Sequence, residues 1–324
     1  MNAPLVEIEN LGVRFDGTPQ VHAVNGVDLR LDRGEVLVLL GESGSGKSVT
    51  LKALLKLLPK RRTRITGSVR FEGRDVLALE GRDLADFRGA AASMIFQDPA
   101  LALDPVYTIG AQIAETVIRH RGGTRDAAMA RALQMLERVR IPSPERRLKA
   151  YPHELSGGMR QRAMIALALA CEPALLLADE PTTALDATVQ MQVLLLLREL
   201  QREAGMGVIF VTHDIGVAVE IADRVAVMYA GTIVETGTIG EIIKDPRHPY
   251  TRGLLAANLH DAVKGARLDS IPGAPPQLAE PPTSCPFAPR CPQAHAACRA
   301  ALPPVVELGG GRRVACVLET EAVG

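Results

Sequence analysis

Val36-Leu37-Val38-Leu39-Leu40-Gly41-Glu42-Ser43-Gly44-Ser45-Gly46-Lys47-Ser48 is the stretch on which the fold turns. Its five leading apolar residues read as a strand buried on both faces, as in a parallel sheet covered by helices. The next eight match G-x-x-x-x-G-K-[ST] at every fixed position. Glycines at 41, 44 and 46 let the backbone curl so that successive N–H groups point at phosphate oxygens. A helix starting at Lys47 adds the partial positive charge of its N-terminus. Lys47 suits the β- and γ-phosphates, and the Ser48 hydroxyl suits Mg²⁺. Gly41, Ser43, Gly44, Ser45, Gly46, Lys47, Ser48 and Val49 are therefore the candidate nucleotide contacts. A Gly-rich turn carrying a lysine by chance would not need the strand before it and the helix after it.

Working outward, Val6 to Leu11 alternates like an edge strand, and a helix is expected from Lys47 to Leu58, stopped by Pro59. Met94 to Phe96 reads as a short strand. Residues 109–152 read as helical, with a break at Gly122-Gly123. Ala174 to Ala178 and Val208 to Val211 are two further buried strands. Arg224 to Tyr229 and Thr232 to Glu235, joined through Ala230-Gly231, suggest a hairpin. Strands alternating with helices give an α/β fold with a parallel sheet, and residues 100–160 form a helical insert in it.

A second strand supplies acid. Leu175-Leu176-Leu177-Ala178-Asp179-Glu180 is apolar until its last two residues. Asp179 at the strand end suits Mg²⁺, directly or through water. Glu180, one step on, suits orientation or deprotonation of an attacking water. Two solvated acids before the Pro181 turn are the bland alternative, which the phosphate loop makes improbable.

Composition narrows the class. The 324 residues suffice for two domains, and 47% hydrophobic content suffices for a core. Aromatics make up only 3%, with no Trp, so an aliphatic core is expected. Lys and Arg total 37 against 37 Asp and Glu, without the basic surplus of a protein that neutralises a nucleic-acid backbone. No apolar run reaches the ~20 residues of a membrane span, and the N-terminus lacks the pattern of a secretory signal. A cytoplasmic location, with membrane association only through a partner, is expected. Twelve of the 22 prolines and four of the five cysteines fall after Asp245. That places a domain boundary there: residues 1–245, then 246–324.

Leu155-Ser156-Gly157-Gly158-Met159-Arg160-Gln161 is a second anion-binding end. Ser156 can cap the helix that follows, and the two glycines admit close approach of an anion. This segment resembles the signature motif of ABC ATPases. The resemblance covers residues 5–245 and implies an ABC-type phosphate-loop ATPase core with a helical subdomain. It implies roles residue by residue. Gln97 is similar to the Q-loop glutamine that senses Mg²⁺ and the γ-phosphate. Ala184-Leu185-Asp186 is similar to the D-loop, and His213 to the switch histidine. Phe15 falls where the family stacks an aromatic on adenine, with a plain core role as its alternative. Ser156, Gly157, Gly158 and Gln161 would contact nucleotide held by an opposing subunit. Lys47, Gln97, Glu180 and His213 form the implied catalytic set, and Ser48, Gln97 and Asp179 the implied Mg²⁺ set.

His248-Pro249-Tyr250-Thr251-Arg252-Gly253-Leu254-Leu255 and Ile271-Pro272-Gly273-Ala274-Pro275-Pro276 resemble the C-terminal extension of dipeptide and oligopeptide importers. Asp179-Glu180-Pro181-Thr182-Thr183 points the same way, and nickel importers of the same branch remain the near alternative. The resemblance implies ATP and Mg²⁺ and two permease subunits. It also implies a second ATPase subunit, sister chain or self, and indirectly an extracytoplasmic solute-binding protein. It implies no nucleic acid, and a place on the cytoplasmic face of the inner membrane. Soluble family members acting on DNA or ribosomes, and a module that binds without hydrolysing, are the rival readings.

Cys285, Cys291, Cys298 and Cys316 are spaced C-x5-C-x6-C-x17-C, matching neither structural zinc nor ferredoxin patterns. Cys285-Pro286-Phe287-Ala288-Pro289-Arg290-Cys291 resembles the peptide-importer tail that carries a [4Fe–4S] cluster; zinc and free thiols stay open. Cys171, in an apolar helix, is expected to be a small core residue.

Overall fold

The structure, a computed structural model, describes residues 3–183, 185–259 and 271–323. Among these, the strands in chain order are β1 (Val6–Phe15), β2 (Val21–Leu31), β3 (Val36–Leu40), β4 (Thr63–Phe71), β5 (Arg74–Asp75), β6 (Ala92–Ile95), β7 (Leu175–Asp179), β8 (Gly207–Thr212), β9 (Arg224–Tyr229), β10 (Thr232–Thr238), β11 (Val305–Gly309) and β12 (Arg312–Ala315). The chain divides into two compact units. One holds residues up to Leu77 and from Val211 onward, and the other holds Ala78–Phe210.

In the first unit, β2, β1, β4 and β5 form an antiparallel sheet in that order. Val6 stands opposite Leu31 on one side and Phe71 on the other. The strand expected over Val6–Leu11 runs on to Phe15, past a register shift where Asn10 takes a φ of 48°. A second sheet runs β11-β12-β10-β9-β3. β3 lies parallel to β9, with Leu39 opposite Ala226. All five β3 residues are at most 1% exposed, so the continuous apolar run is a fully buried strand. The expected hairpin is present: β9 and β10 pair antiparallel, Met228 opposite Ile233. Ala230 and Gly231 between them both have positive φ, as a tight primed turn requires.

The helix after the phosphate loop spans Lys47–Leu54 rather than reaching Leu58. Lys56 adopts a φ of 51°, which ends helical geometry before Pro59 can. The segment after Asp245 is part of the same unit as the phosphate loop. Its helix Pro249–Leu259 sends Tyr250 inward, fully buried.

The core is aliphatic as expected, mainly Leu, Val, Ile and Ala, but it holds one aromatic cluster. Tyr229, Tyr250 and Phe287 are all at most 2% exposed and pack with ring centroids 4.6–5.3 Å apart. Few aromatics overall did not mean few in one place. Such tilted and edge-on pairs add about 0.5–1.5 kcal/mol each beyond area burial.

In the second unit, β6 lies parallel to β7, with Met94 opposite Leu177. The helical region is several pieces, chiefly Ile109–Arg121, Arg125–Arg138 and Gly157–Leu169. Gly122 and Gly123, both at positive φ, make the first break. Thr108 and Thr124 cap the first two helices by accepting the amides of Ala111 and Ala127. Arg121 and Arg131 both reach the Glu172 carboxylate, at 2.7 and 2.9 Å. Cys171 is buried as expected, and its thiol lies 3.7 Å from the Thr116 carbonyl. Among the described residues, no helix is long and apolar enough to cross a membrane.

Candidate functional site

In the first unit the phosphate loop leaves the end of β3 and enters the helix at Lys47. Gly46, the residue before that helix, takes a φ of 102°, and no side chain caps the helix start. A helix N-terminus entered through such a glycine turn is the usual setting of an anion site. A Cβ on Gly46 would come within 2.4 Å of the Ala23 carbonyl oxygen. Glycine is thus required by both torsion and space. The loop is tied down by the turn after β9: the Gly231 amide donates to the Ser45 carbonyl at 2.9 Å.

Lys47 is only 5% exposed. Its ammonium donates to the carbonyls of Gly41 and Glu42, at 2.6 and 2.8 Å, and to Ser45 Oγ at 3.2 Å. The loop wraps its own cation, and its backbone is already curled around a positive centre. Ser43 and Gly44 are exposed, while Ser48 and Val49 at the helix start are half-buried. This combination of a helix N-terminus, buried ammonium and adjacent hydroxyl fits a magnesium-bound polyphosphate.

Two further residues of the first unit were expected at the site. His213 follows β8 and is exposed; the next residue, Asp214, caps the helix Ile215–Ile221 by accepting the amides of Gly216 and Val217. Phe15 ends β1 half-buried, not enclosed in the core.

The second unit carries the acids. Asp179 ends β7 and is 3% exposed. Glu180 follows with a φ of 45°, in the left-handed region that a non-glycine residue enters at a cost. That turn swings its side chain off the line of the strand. Gln97 Nε2 donates to Glu180 Oε2 at 3.4 Å, and Thr183 Oγ1 donates to the same oxygen at 3.0 Å. Gln97 and Glu180, 83 positions apart, are thus brought together. Thr183 was quoted for kinship alone, and its hydrogen bond had no sequence signal.

The Ser156 turn is built as expected. Ser156 Oγ accepts the Met159 amide at 3.3 Å, and the helix runs Gly157–Leu169. Gly158 packs so closely that a Cβ would stand 2.8 Å from Val189 Cγ1. Gln161 is 2% exposed, with its amide nitrogen lacking a hydrogen-bond partner. Asp186 caps the helix Ala187–Ala204 by accepting the Val189 amide at 3.0 Å. Of the expected D-loop trio, Ala184 lies outside the described residues.

The tail reaches the phosphate loop itself, which no motif had signalled. The Glu42 amide donates to Tyr250 Oη at 2.9 Å, and the Arg290 guanidinium grips the Glu42 carboxylate through two bonds, at 2.6 and 3.0 Å.

None of the four tail cysteines forms a disulfide. Burial raises Cys285 and Cys291, and pushes Cys316 up to about 11, with the other three thiols adding to that rise. A raised value favours the neutral thiol over the thiolate that binds a metal. Among the described residues no group of three or more His, Cys, Asp or Glu is placed to hold a metal ion. The expected [4Fe–4S] cluster is not supported by this arrangement. The staple that the tail needs is supplied instead by the Tyr229–Tyr250–Phe287 cluster and the Arg290–Glu42 pair.

Residues 24–183 match the ABC transporter family, and residues 234–298 match the oligopeptide/dipeptide transporter C-terminal region. A probable peptide ABC transporter ATP-binding protein of Sinorhizobium fredii is 48% identical, over 98% of this chain and 96% of its own. The dipeptide transport ATP-binding protein DppD of Bacillus subtilis is 46% identical, over 98% and 95%. Among solved structures, a dimeric post-hydrolysis state of the ATP-binding cassette MJ0796 bound to ADP and Pi superposes with a TM-score of 0.65 at 30% identity. It covers 72% of this chain and 98% of that one. With its phosphate loop, Ser156 turn and acidic strand end in place, the chain belongs to the ABC transporter ATP-binding proteins, in the oligopeptide/dipeptide transporter family.

Proposed function

We propose that this chain energises import of short peptides by binding and hydrolysing magnesium-bound ATP. It would work from the cytoplasmic face of a membrane whose two permease subunits it serves. The observation that carries the reading is the uncapped, pre-curled loop around the buried Lys47 ammonium, in a chain that also keeps Glu180.

Lys47 and the loop amides would exchange their internal carbonyl partners for β- and γ-phosphate oxygens. Ser48 and Asp179, with Gln97, would hold the Mg²⁺, which supplies charge neutralisation on the phosphates. Glu180, with its Oε2 held by Gln97 and Thr183, would take a proton from the attacking water or orient it. His213 would contact the γ-phosphate and Phe15 would stack on adenine. Ser156, Gly157, Gly158 and Gln161 would meet nucleotide held by a second ATPase subunit, while Asp186 would act at that same contact. The dimeric MJ0796 cassette supports such pairing. Pairing with a sister chain or with itself both satisfy this scheme.

Peptide is preferred over nickel because the tail matches the oligopeptide/dipeptide C-terminal region and relatives carry peptide, dipeptide and oligopeptide names. The decisive experiment is purification of the native complex with identification of its companions. Two permeases and a peptide-binding extracytoplasmic protein are expected. Recovery with ribosomes or DNA instead would refute the assignment.

A [4Fe–4S] centre held by Cys285, Cys291, Cys298 and Cys316 is a second reading of the tail, which rests on the resemblance of the Cys285–Cys291 segment alone. Its chemistry would be a structural clasp. Anaerobic purification would then give a brown chain absorbing near ~400 nm, with about four irons. A colourless, iron-free chain with a folded tail would eliminate the cluster.

A further inference from the structure

Glu42 poses an electrostatic problem. It places a carboxylate inside a loop whose proposed ligand is a triphosphate, and like charges at close range oppose binding. The answer lies 248 residues away. Arg290 stands in the tail between Cys285 and Cys291, with a side chain only 6% exposed. Nη1 reaches Glu42 Oε2 at 2.6 Å and Nη2 reaches Oε1 at 3.0 Å, the parallel fork in which guanidinium and carboxylate bind most strongly.

The rest of the guanidinium is anchored on the tail. Nε donates to the Pro272 carbonyl at 2.8 Å and Nη2 to the Ile271 carbonyl at 3.2 Å. The cation also sits 5.8 Å from the Tyr229 ring centre, over an aromatic that is fully buried. Tyr250 holds the same loop residue from another direction, through the Glu42 amide. Meanwhile the Glu42 carbonyl accepts from Lys47. One residue therefore bridges the tail cation and the loop cation, by its side chain and its backbone respectively.

We propose that Arg290 is a positioning residue of the nucleotide site: by neutralising and holding the Glu42 carboxylate, it keeps the phosphate loop receptive to a triphosphate. The C-terminal extension is then part of the nucleotide site. The inference rests on the ATP reading above. The arrangement keeps the Glu42 carboxylate from competing with phosphate for Lys47.

The test is titration of the full-length chain with magnesium and the non-hydrolysable imido analogue of ATP. Wild-type binding is the control: its absence contradicts the nucleotide reading itself. R290Q, similar in size but uncharged, is expected to bind about tenfold more weakly. The deficit should shrink as salt is raised. In R290Q/E42Q, where no carboxylate is left to neutralise, affinity should return to within about threefold of wild type. A purely structural role for Arg290 gives no such rescue. Affinity of R290Q within twofold of wild type, or a double variant no better than R290Q, would overturn the proposal. E42Q alone serves if R290Q does not fold. It leaves the Arg290 charge uncompensated beside the loop and should bind about threefold more tightly, so unchanged or weaker binding would count against the proposal.

Discussion

Gln97 Nε2 lies 3.4 Å from Glu180 Oε2, so the second residue after β6 and the first after β7 meet over one carboxylate oxygen. Thr183 donates to that same oxygen at 3.0 Å. Both donors fix the carboxylate's orientation. E180Q keeps the shape and removes the base. Phosphate release should fall between about 100- and 10,000-fold, while ATP binding persists. Turnover within tenfold of wild type would remove Glu180 from its proposed role.

Gly46 tests the loop. G46A puts a methyl 2.4 Å from the Ala23 carbonyl at a φ of 102°. The clash should cost about 1–3 kcal/mol of stability. It should also abolish nucleotide binding, because relieving it moves the amide that opens the helix. A folded G46A that still titrates with ATP at wild-type affinity would show that the loop amides do not hold the phosphates.

The tail also meets a buried charge on β10. Glu235 is fully enclosed, its carboxylate accepts the amides of Arg247 and His248, and Arg312 reaches it at 3.2 Å. R312A would leave an uncompensated carboxylate inside the protein, a loss of about 3–5 kcal/mol. Urea unfolding of R312A and of R312A/E235Q measures it: the double variant should recover part of the loss. Equal stability of wild type and R312A would mean the pair contributes nothing.

His248 is 1% exposed, and its Nδ1 accepts the Tyr250 amide at 3.0 Å. Burial pushes its ring down to about 3 from an ordinary 6.5, with Arg252 assisting. The folded state thus holds the ring neutral where the unfolded state takes up a proton. Stability from this residue is complete above pH ~6.5 and declines as pH falls toward 3, by up to about 1.4 kcal/mol per pH unit. Unfolding free energies at pH 7.5 and 5.5 should diverge in wild type and converge in H248Q. Identical slopes in both would contradict the assignment.

Much of this was legible in the residues because it is local. The phosphate loop, β3, the hairpin around Ala230-Gly231 and the Ser156 cap each follow from neighbouring residues obeying one rule of torsion or hydrogen bonding. What sequence left out is long-range. Nothing near Arg290 says that its partner is Glu42, since a two-pronged ion pair leaves no spacing pattern across 248 positions. The burial of Tyr229, Tyr250 and Phe287 together was equally hidden, because low aromatic content speaks of number and not of location. Helix ends were misplaced where a single residue such as Lys56 turned left-handed ahead of the proline stop.

ATP hydrolysis by the assembled complex in proteoliposomes, with its binding protein present, tests the central claim most directly. Added di- and oligopeptides should accelerate phosphate release and be carried to the side bearing this chain, and K47A should abolish both. Hydrolysis indifferent to peptides but accelerated by nickel, or no hydrolysis at all with intact Lys47 and Glu180, would contradict it.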